Sequence, residues 1–360
     1  MRSFLSLFTT IFLIYLNLNA QKKLTLIENG VFYDGYAKLV SEPTPENVLR
    51  LKNDVLTTKI TSEIISQIGI ELNIEVEVSA LCDNYDRIGN VSLALVPKGT
   101  EKYNLNEVTH IELGRFITPF MHKNRTPSTV SYSFEAHQIS SILHSKSLQQ
   151  KYDFWVELEV FGVPYAAQKE VKGCEGRIDV FSGTLNFITS EKIYTPEETF
   201  QFIPITHKFL LYNYDIEHTD SIGKTQKTFT FELPEDCQNG QLFLITSNHG
   251  ANEGGEEYIR RKHIIQFDNK EVLVYTPGGK SCEPFRKFNT QGNGIYEREP
   301  KIEEDWTSWN NWCPGDKIPT RIIDLGKVKK GKHTFKITVP NAEFVDQQGY
   351  FPVSVYFIGN

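Results

Sequence analysis

The feature that most narrows the fold of this chain is a recurrence of short runs in which apolar and polar residues alternate, separated by turn residues. Residues 72–78 alternate apolar side chains with Asn73, Glu75 and Glu77, and a second apolar run covers 91–96. The cleanest alternation is 152–162. There Phe154, Val156, Leu158 and Val160 fall on one face and Trp155, Glu157, Glu159 and Phe161 on the other, the period-two pattern of a strand. Further runs at 111–120, 177–188, 228–233, 241–246, 321–325, 333–339 and 350–358 read the same way. Residues 263–275 read as a hairpin turning at Asp268-Asn269. Residues 55–68 fit either a strand or a short helix. The best helix candidate, 140–149 with Ser140 as its cap, is short and rich in serine. Many short strands without a βαβ rhythm predict an all-β protein built of two antiparallel β-sandwiches.

Two domains are the default because 360 residues exceed what one core usually supports. The polar, proline-containing stretch 191–199 is the expected linker between an N-terminal domain at 21–190 and a C-terminal one at 200–360. Residues 1–20 hold one arginine, an apolar run and a small residue placed for cleavage after Ala20. They read as a signal peptide, which predicts a secreted or periplasmic protein. No other stretch is long and apolar enough to span a bilayer. The net charge is −7 with both signs mixed along the chain, so neither nucleic acid nor an anionic membrane is an expected partner.

Five cysteines in an exported chain point to disulfides, with at least one thiol left over. Cys282 and Cys313 lie towards the two ends of a long loop, 277–319, rich in Gly, Asn and Trp. A loop of that length is usually functional or stapled, and a bridge there would contribute about 3–4 kcal/mol on the chain-entropy model. The chain has no CxxC spacing, no HExxH, no HxH pair, no GxSxG and no glycine-rich phosphate loop, so neither a metal nor a cofactor is expected.

Carboxylates remain. Cys82-Asp83-Asn84-Tyr85-Asp86-Arg87 places two aspartates, an aromatic and an arginine between two strands, where a loop on a rigid sheet usually carries chemistry. As a bare hexapeptide it reads more readily as a polar turn. The Trp155, Glu157, Glu159 and Phe161 face could meet sugar with rings and acids, or simply be solvated. In the second half, 247–263 crowds Glu253, Glu256 and Glu257 ahead of Arg260, Arg261 and Lys262; such crowding can separate carboxylate pKa values. Asp86, Glu157 and Glu257 suit hydrolysis by acid–base catalysis without a cofactor.

In these same segments the chain resembles the peptide-N-glycosidase F family of secreted amidases that release N-linked glycans. The shared motifs are C-D-N-Y-D-R at 82–87, G-R-F-I-T-P-F at 114–120, F-W-V-E at 154–157, G-G-E-E-Y at 254–258, R-K-H at 261–263, and W-C-P-G with I-P-T-R inside 312–321. They run in the family's order across both halves. The resemblance implies two jelly-roll β-sandwiches packed side by side with the active site between them. It makes Asp86 the main catalytic residue, with Glu257 and Glu157 in support, and leaves Asp83 as a turn residue. Arg87, Tyr85, Glu159, Trp155, Glu256, Tyr258, Arg261 and Trp309 become candidates for holding substrate. It keeps the Cys282–Cys313 bridge and suggests a second between Cys82 and Cys174. Tyr85 and Tyr258 stand where the family pattern has tryptophan, Glu159 where it has an aromatic, and Trp309 where it has arginine. The implied partners are N-glycosylated proteins or peptides, acted on by a monomer. Two other readings stay open: a non-catalytic glycan binder on the same fold, and a copper monooxygenase, which the missing HxH ligands disfavour.

Overall fold

The computed structural model describes residues 21–192, 200–250, 255–308 and 310–360. The expected signal peptide and most of the expected linker lie outside these residues, as does Trp309. The first half supplies nine strands: β1 (Gln21–Tyr33), β2 (Val48–Lys52), β3 (Val55–Lys59), β4 (Leu72–Ala80), β5 (Ile88–Pro97), β6 (Thr109–Ile117), β7 (Thr129–Glu135), β8 (Tyr152–Val160) and β9 (Asp179–Ser190). The second supplies β10 (Gln201–Leu211), β11 (Gln226–Leu233), β12 (Cys237–Thr246), β13 (His263–Phe267), β14 (Lys270–Tyr275), β15 (Lys317–Ile318), β16 (Arg321–Val328), β17 (Gly331–Thr338) and β18 (Phe351–Gly359).

The strands make four antiparallel sheets, two to a domain, as the pattern predicts, in the side-by-side jelly-roll sandwiches that the family resemblance implies. In the first domain a sheet ordered β1-β9-β4-β7 faces one ordered β2-β3-β8-β5-β6-β15. In the second, β10-β18-β12-β16 faces β11-β17-β13-β14. The period-two residues do what alternation requires. Leu72, Ile74, Val76 and Val78 of β4 meet Phe154, Val156, Leu158 and Val160 of β8 in the first core. Leu242, Leu244, Phe335, Ile337, Val353 and Val355 fill the second. At the β13–β14 turn Asp268 and Asn269 both take positive φ, 47° and 63°, as a tight hairpin turn demands.

The helical expectations shift. Residues 55–68 resolve into strand β3 and a single helical turn at Ser62–Ile65, capped by the Thr61 side chain. The stretch around 140–149 becomes two short helices, His137–His144 and Lys146–Lys151. Ser140 is buried inside the first rather than capping it; Ser145, in extended conformation, separates the two and caps the second. A serine's local hydrogen bonding competes with helix continuation, which accounts for the break.

Two contacts lock the domains together. Strand β15, from the long loop of the second half, pairs with β6 of the first domain. Phe243 and Tyr356, stacked with centroids 5.0 Å apart, leave the second domain's own core and pack into the first. The disulfides pair Cys282 with Cys313 and Cys82 with Cys174, leaving Cys237 as a buried free thiol. The first bridge closes the long loop around its own small core of Trp306 and Tyr296. No helix among the described residues is long and apolar enough to cross a membrane.

Candidate active site

The hexapeptide at 82–87 is a rigid loop, and its two aspartates divide the work. Cys82 is tied to Cys174, and its N–H donates to the Asp179 carbonyl at 2.9 Å. The buried Asp83 carboxylate accepts from the Tyr85 and Val163 N–H groups at 3.0 and 2.7 Å and from Arg87 Nε at 2.7 Å. A short polar side chain turned onto its own backbone is ordinary Asx-turn chemistry; here it also fixes the Arg87 guanidinium. Thr118, from the G-R-F-I-T-P-F run, closes the loop from the other side. Its hydroxyl accepts from the Arg87 N–H at 2.8 Å and donates to the Tyr85 carbonyl at 3.3 Å, while its own N–H donates to the Arg87 carbonyl at 2.8 Å. That run therefore matters as a clamp. Asp86 takes no part in that clamp.

The groups that meet Asp86 come from the other domain. Tyr258 donates its hydroxyl to Asp86 Oδ2 at 3.3 Å, the one side-chain hydrogen bond that the carboxylate accepts among the described residues. The Tyr258 ring packs on Trp312 at 5.2 Å. Asn311 donates to the Glu257 carbonyl and accepts from the Asn248 N–H, and Trp312 Nε1 donates to the Asn248 carbonyl at 2.9 Å. These bonds hold the 255–258 turn against the W-C-P-G segment. Burial, and then the neighbouring Glu257 charge, push the Asp86 carboxyl up to about 7, against the counter-pull of Arg87. Burial also raises Glu257, again opposed by Arg87. One guanidinium thus acts on both acids. Two carboxylates that cannot both ionise comfortably beside each other are a general acid–base arrangement.

Other expected site residues lie elsewhere. A cavity of about 320 Å³ lies between the domains, walled by Ile88, Asn90, Glu159 and Phe161 of the first domain and by Lys208, Tyr350 and Pro352 of the second; Asp86, Arg87, Glu257 and Tyr258 do not line it, and Ile88 is its link to the Asp86 loop. Glu159 is in it, ion-paired across the domain boundary with Lys208. Glu157 is not. It sits opposite Ser92 in the sheet, whereas Glu159 sits opposite Asn90, nearer the Asp86 loop. Its carboxylate is consumed by Tyr103 at 2.6 Å and His110 at 3.0 Å. The two-residue period puts both acids on one face, and of the two Glu159 lines the cavity. Trp155 does not line it either. It is buried against Tyr103, Ala94 and Val96 and offers no ring face to a sugar.

Glu256 and Arg261 pair with each other. Glu256 is wholly buried, and Arg261 donates to both of its oxygens at 3.0–3.1 Å. The Glu343 N–H donates to Glu256 as well. Consecutive residues in a turn diverge, so Glu257 faces the cleft while Glu256 anchors the turn from behind. Tyr85 remains at the mouth, half exposed, with Phe120 at 5.6 Å and the Arg87 guanidinium over its ring.

The sequence reading missed the group that sets the cleft itself. Arg115 is completely buried. It donates twice to Glu112 at 2.6 and 2.8 Å, and across the boundary to Ser247 Oγ and the Pro352 carbonyl at 2.8 Å. Glu112 also accepts from Asn90 at 2.9 Å and from Ser354. Two charged residues inside an apolar strand were the available signal. Among the described residues no three His, Cys, Asp or Glu side chains are grouped as metal ligands.

Fold and cleft together define a two-domain jelly-roll protein with acidic residues from both domains meeting between them. Family comparison gives this class a name. Residues 24–178 match the family described as Peptide-N-glycosidase F, N terminal, and residues 217–358 match Peptide-N-glycosidase F, C terminal. The chain belongs to the peptide-N-glycosidase F family. Among solved structures, one of PNGF-II superposes with a TM-score of 0.67 at 18% identity, covering 94% of this chain and 65% of that one. The chain thus spans about two thirds of that relative's length. PNGase F, in a structure described as recombinant peptide:N-glycanase F, gives 0.58 at 16% identity over 94% and 95% of the two chains. A structure of PNGase F from Flavobacterium meningosepticum, described as a glycosylasparaginase, gives 0.57 at 16% over 95% and 96%. At such identities the structures speak for the fold alone. No curated protein matches the chain.

Proposed function

We propose that the protein hydrolyses the amide joining an asparagine side chain to the first N-acetylglucosamine of an N-glycan, giving aspartate and a glycosylamine. The observation that carries this reading is the meeting of Asp86 with Tyr258 and Glu257 across the domain boundary, with the Asp86 carboxyl pushed up to about 7. A group poised near neutrality can both take and return a proton. Asp86, ionised, accepts a proton from water as the oxygen attacks the amide carbon. Arg87, fixed by Asp83, supports the negative charge developing on the carbonyl oxygen. The proton that Asp86 takes from water is returned to the leaving nitrogen, and the Glu257 charge beside it keeps the Asp86 carboxylate basic enough to take that proton. Carboxylate-spacing rules for glycosidases do not apply, because attack falls on an acyl carbon and not on a sugar carbon.

The first sugar enters the cavity beside Glu159, Lys208 and Phe161, with Glu159 taking the supporting place expected of Glu157. Two disulfides in the fold support an oxidising, exported setting. The test is incubation with a denatured glycoprotein. Free glycan with conversion of the linked Asn to Asp by mass is the expected outcome. Glycan retained on intact protein, with the complex recoverable, favours the non-catalytic binder and overturns the amidase.

A further inference from the structure

Tyr36 is the most exposed large apolar side chain among the described residues, at 74%, yet the loop that carries it is among the most tightly built. The buried Asn53 amide donates to the carbonyls of Asp34, Ala37 and Lys38 at 2.8, 3.2 and 3.2 Å and accepts from the Val40 N–H at 3.0 Å. The N–H groups of Asp34, Gly35 and Tyr36 donate to Ile178 O, Gly162 O and Asp34 Oδ1 at 2.8–3.0 Å. Gly35 is required. A Cβ there would sit 2.6 Å from Phe161, whose ring lies edge-on to Tyr36 at 5.4 Å and 74°. Tyr165, 53% exposed, completes the group: after partial desolvation, Asp34 and then Tyr36 are what raise its phenol pKa.

Tyr36 and Phe161 line the interdomain cavity that Ile88, two residues beyond Asp86, also lines. A rigid, exposed ring at the rim of a polar cavity has the amphipathic character that suits a sugar, with its apolar face for C–H groups and its surroundings for hydroxyls. A peptide is a poorer fit, because strand-like recognition needs free backbone donors and acceptors. In this loop most of those groups are already paired.

We propose that Tyr36, backed by Phe161, is a specificity platform that stacks on sugar rings of the glycan's branches, beyond its unbranched stem. The assignment rests on the glycan-amidase reading of the neighbouring site and extends it from bond type to glycan size. The platform contributes affinity for branched glycans and nothing to the chemical step.

The test compares one peptide carrying either a short unbranched sugar stem or the full branched glycan, cleaved by wild type, Tyr36→Ala and Tyr36→Trp. Tyr36→Ala should raise KM for the branched substrate about tenfold, a change of about 1.4 kcal/mol, with kcat unchanged. The short-stem substrate should be unaffected, and Tyr36→Trp should restore KM. Equal changes on both substrates, no change on either, or an effect that follows peptide length would overturn the platform. Should wild type cleave neither substrate, the amidase reading fails on its own. Titration of the free branched oligosaccharide then decides the platform: weaker binding to Tyr36→Ala supports it, and equal binding or none to wild type overturns it.

Discussion

Two groups of carboxylates lie along the domain boundary, and they differ in how completely they are partnered. Deep in the interface Glu112 is saturated by Arg115, Asn90 and Ser354, and Glu157 by Tyr103 and His110. At the mouth Asp86 receives one long hydrogen bond from Tyr258, and the Glu257 carboxylate accepts none among the described residues. The same polypeptide thus buries acids in two ways. A carboxylate with a full set of donors acts as a fastener, whereas Asp86, crowded by a like charge and short of donors, has its carboxyl pushed up to about 7. Incomplete partnering, more than acidity or sequence position, marks the candidate chemistry.

The sharpest way to break this comparison is Asp86→Asn, which keeps the shape and removes the base. Turnover should fall by roughly 10²–10⁴-fold while circular dichroism stays native; near-wild-type turnover in a folded variant would remove Asp86 from the mechanism. Next is Arg115→Met in the saturated group, which strands the buried Glu112. Removing one partner of a buried pair costs about 3–5 kcal/mol, to be read by denaturant unfolding. A small change there would mean that the interior acids are not fasteners.

Glu257→Gln removes the charge that helps raise Asp86. The expected loss of kcat/KM is about hundredfold, at the low end of general acid–base contributions. The acid limb, near pH 7 in wild type because Asp86 must be ionised to act, should move to lower pH. An unmoved limb would show that the two acids are uncoupled. The same shift has a stability consequence. With a carboxyl raised from 3.8 to about 7, the native state holds a proton that the unfolded chain has lost, so this group's contribution to stability falls as pH rises between those values. In Asp86→Asn that fall disappears, which thermal unfolding at pH 5 and pH 8 would register as a smaller difference than in wild type. The smallest effect is expected for Glu157→Gln: about 1 kcal/mol of stability and almost no change in kcat. A collapse of kcat there would return Glu157 to the reacting group.

Much of the fold was legible because alternation is a local property. The face of β8 read from 152–160 is the face that packs, and the Asp268-Asn269 turn is where the hairpin reverses. The loop at 82–87 was legible through the family motif it carries, since by itself a polar hexapeptide between apolar runs also reads as a turn. Period two alone could not distinguish Glu157 from Glu159. Both leave the sheet on one side, and what separates them is which partner strand and which domain lie above each. Trp155 shows the same limit, because its cover arrives from the distant Tyr103. The neighbours Glu256 and Glu257 diverge only because Arg261 and the Glu343 backbone draw one inward and Asn311 holds the other's carbonyl.

By itself the sequence determined the strands, the sandwich class, the family motifs and the pool of acids, because these depend on side-chain period and on residue type. The tertiary structure alone decided which acids are fully partnered and which are short of donors. That depends on groups distant in the chain, as when Tyr258 reaches Asp86 and Ser354 reaches Glu112.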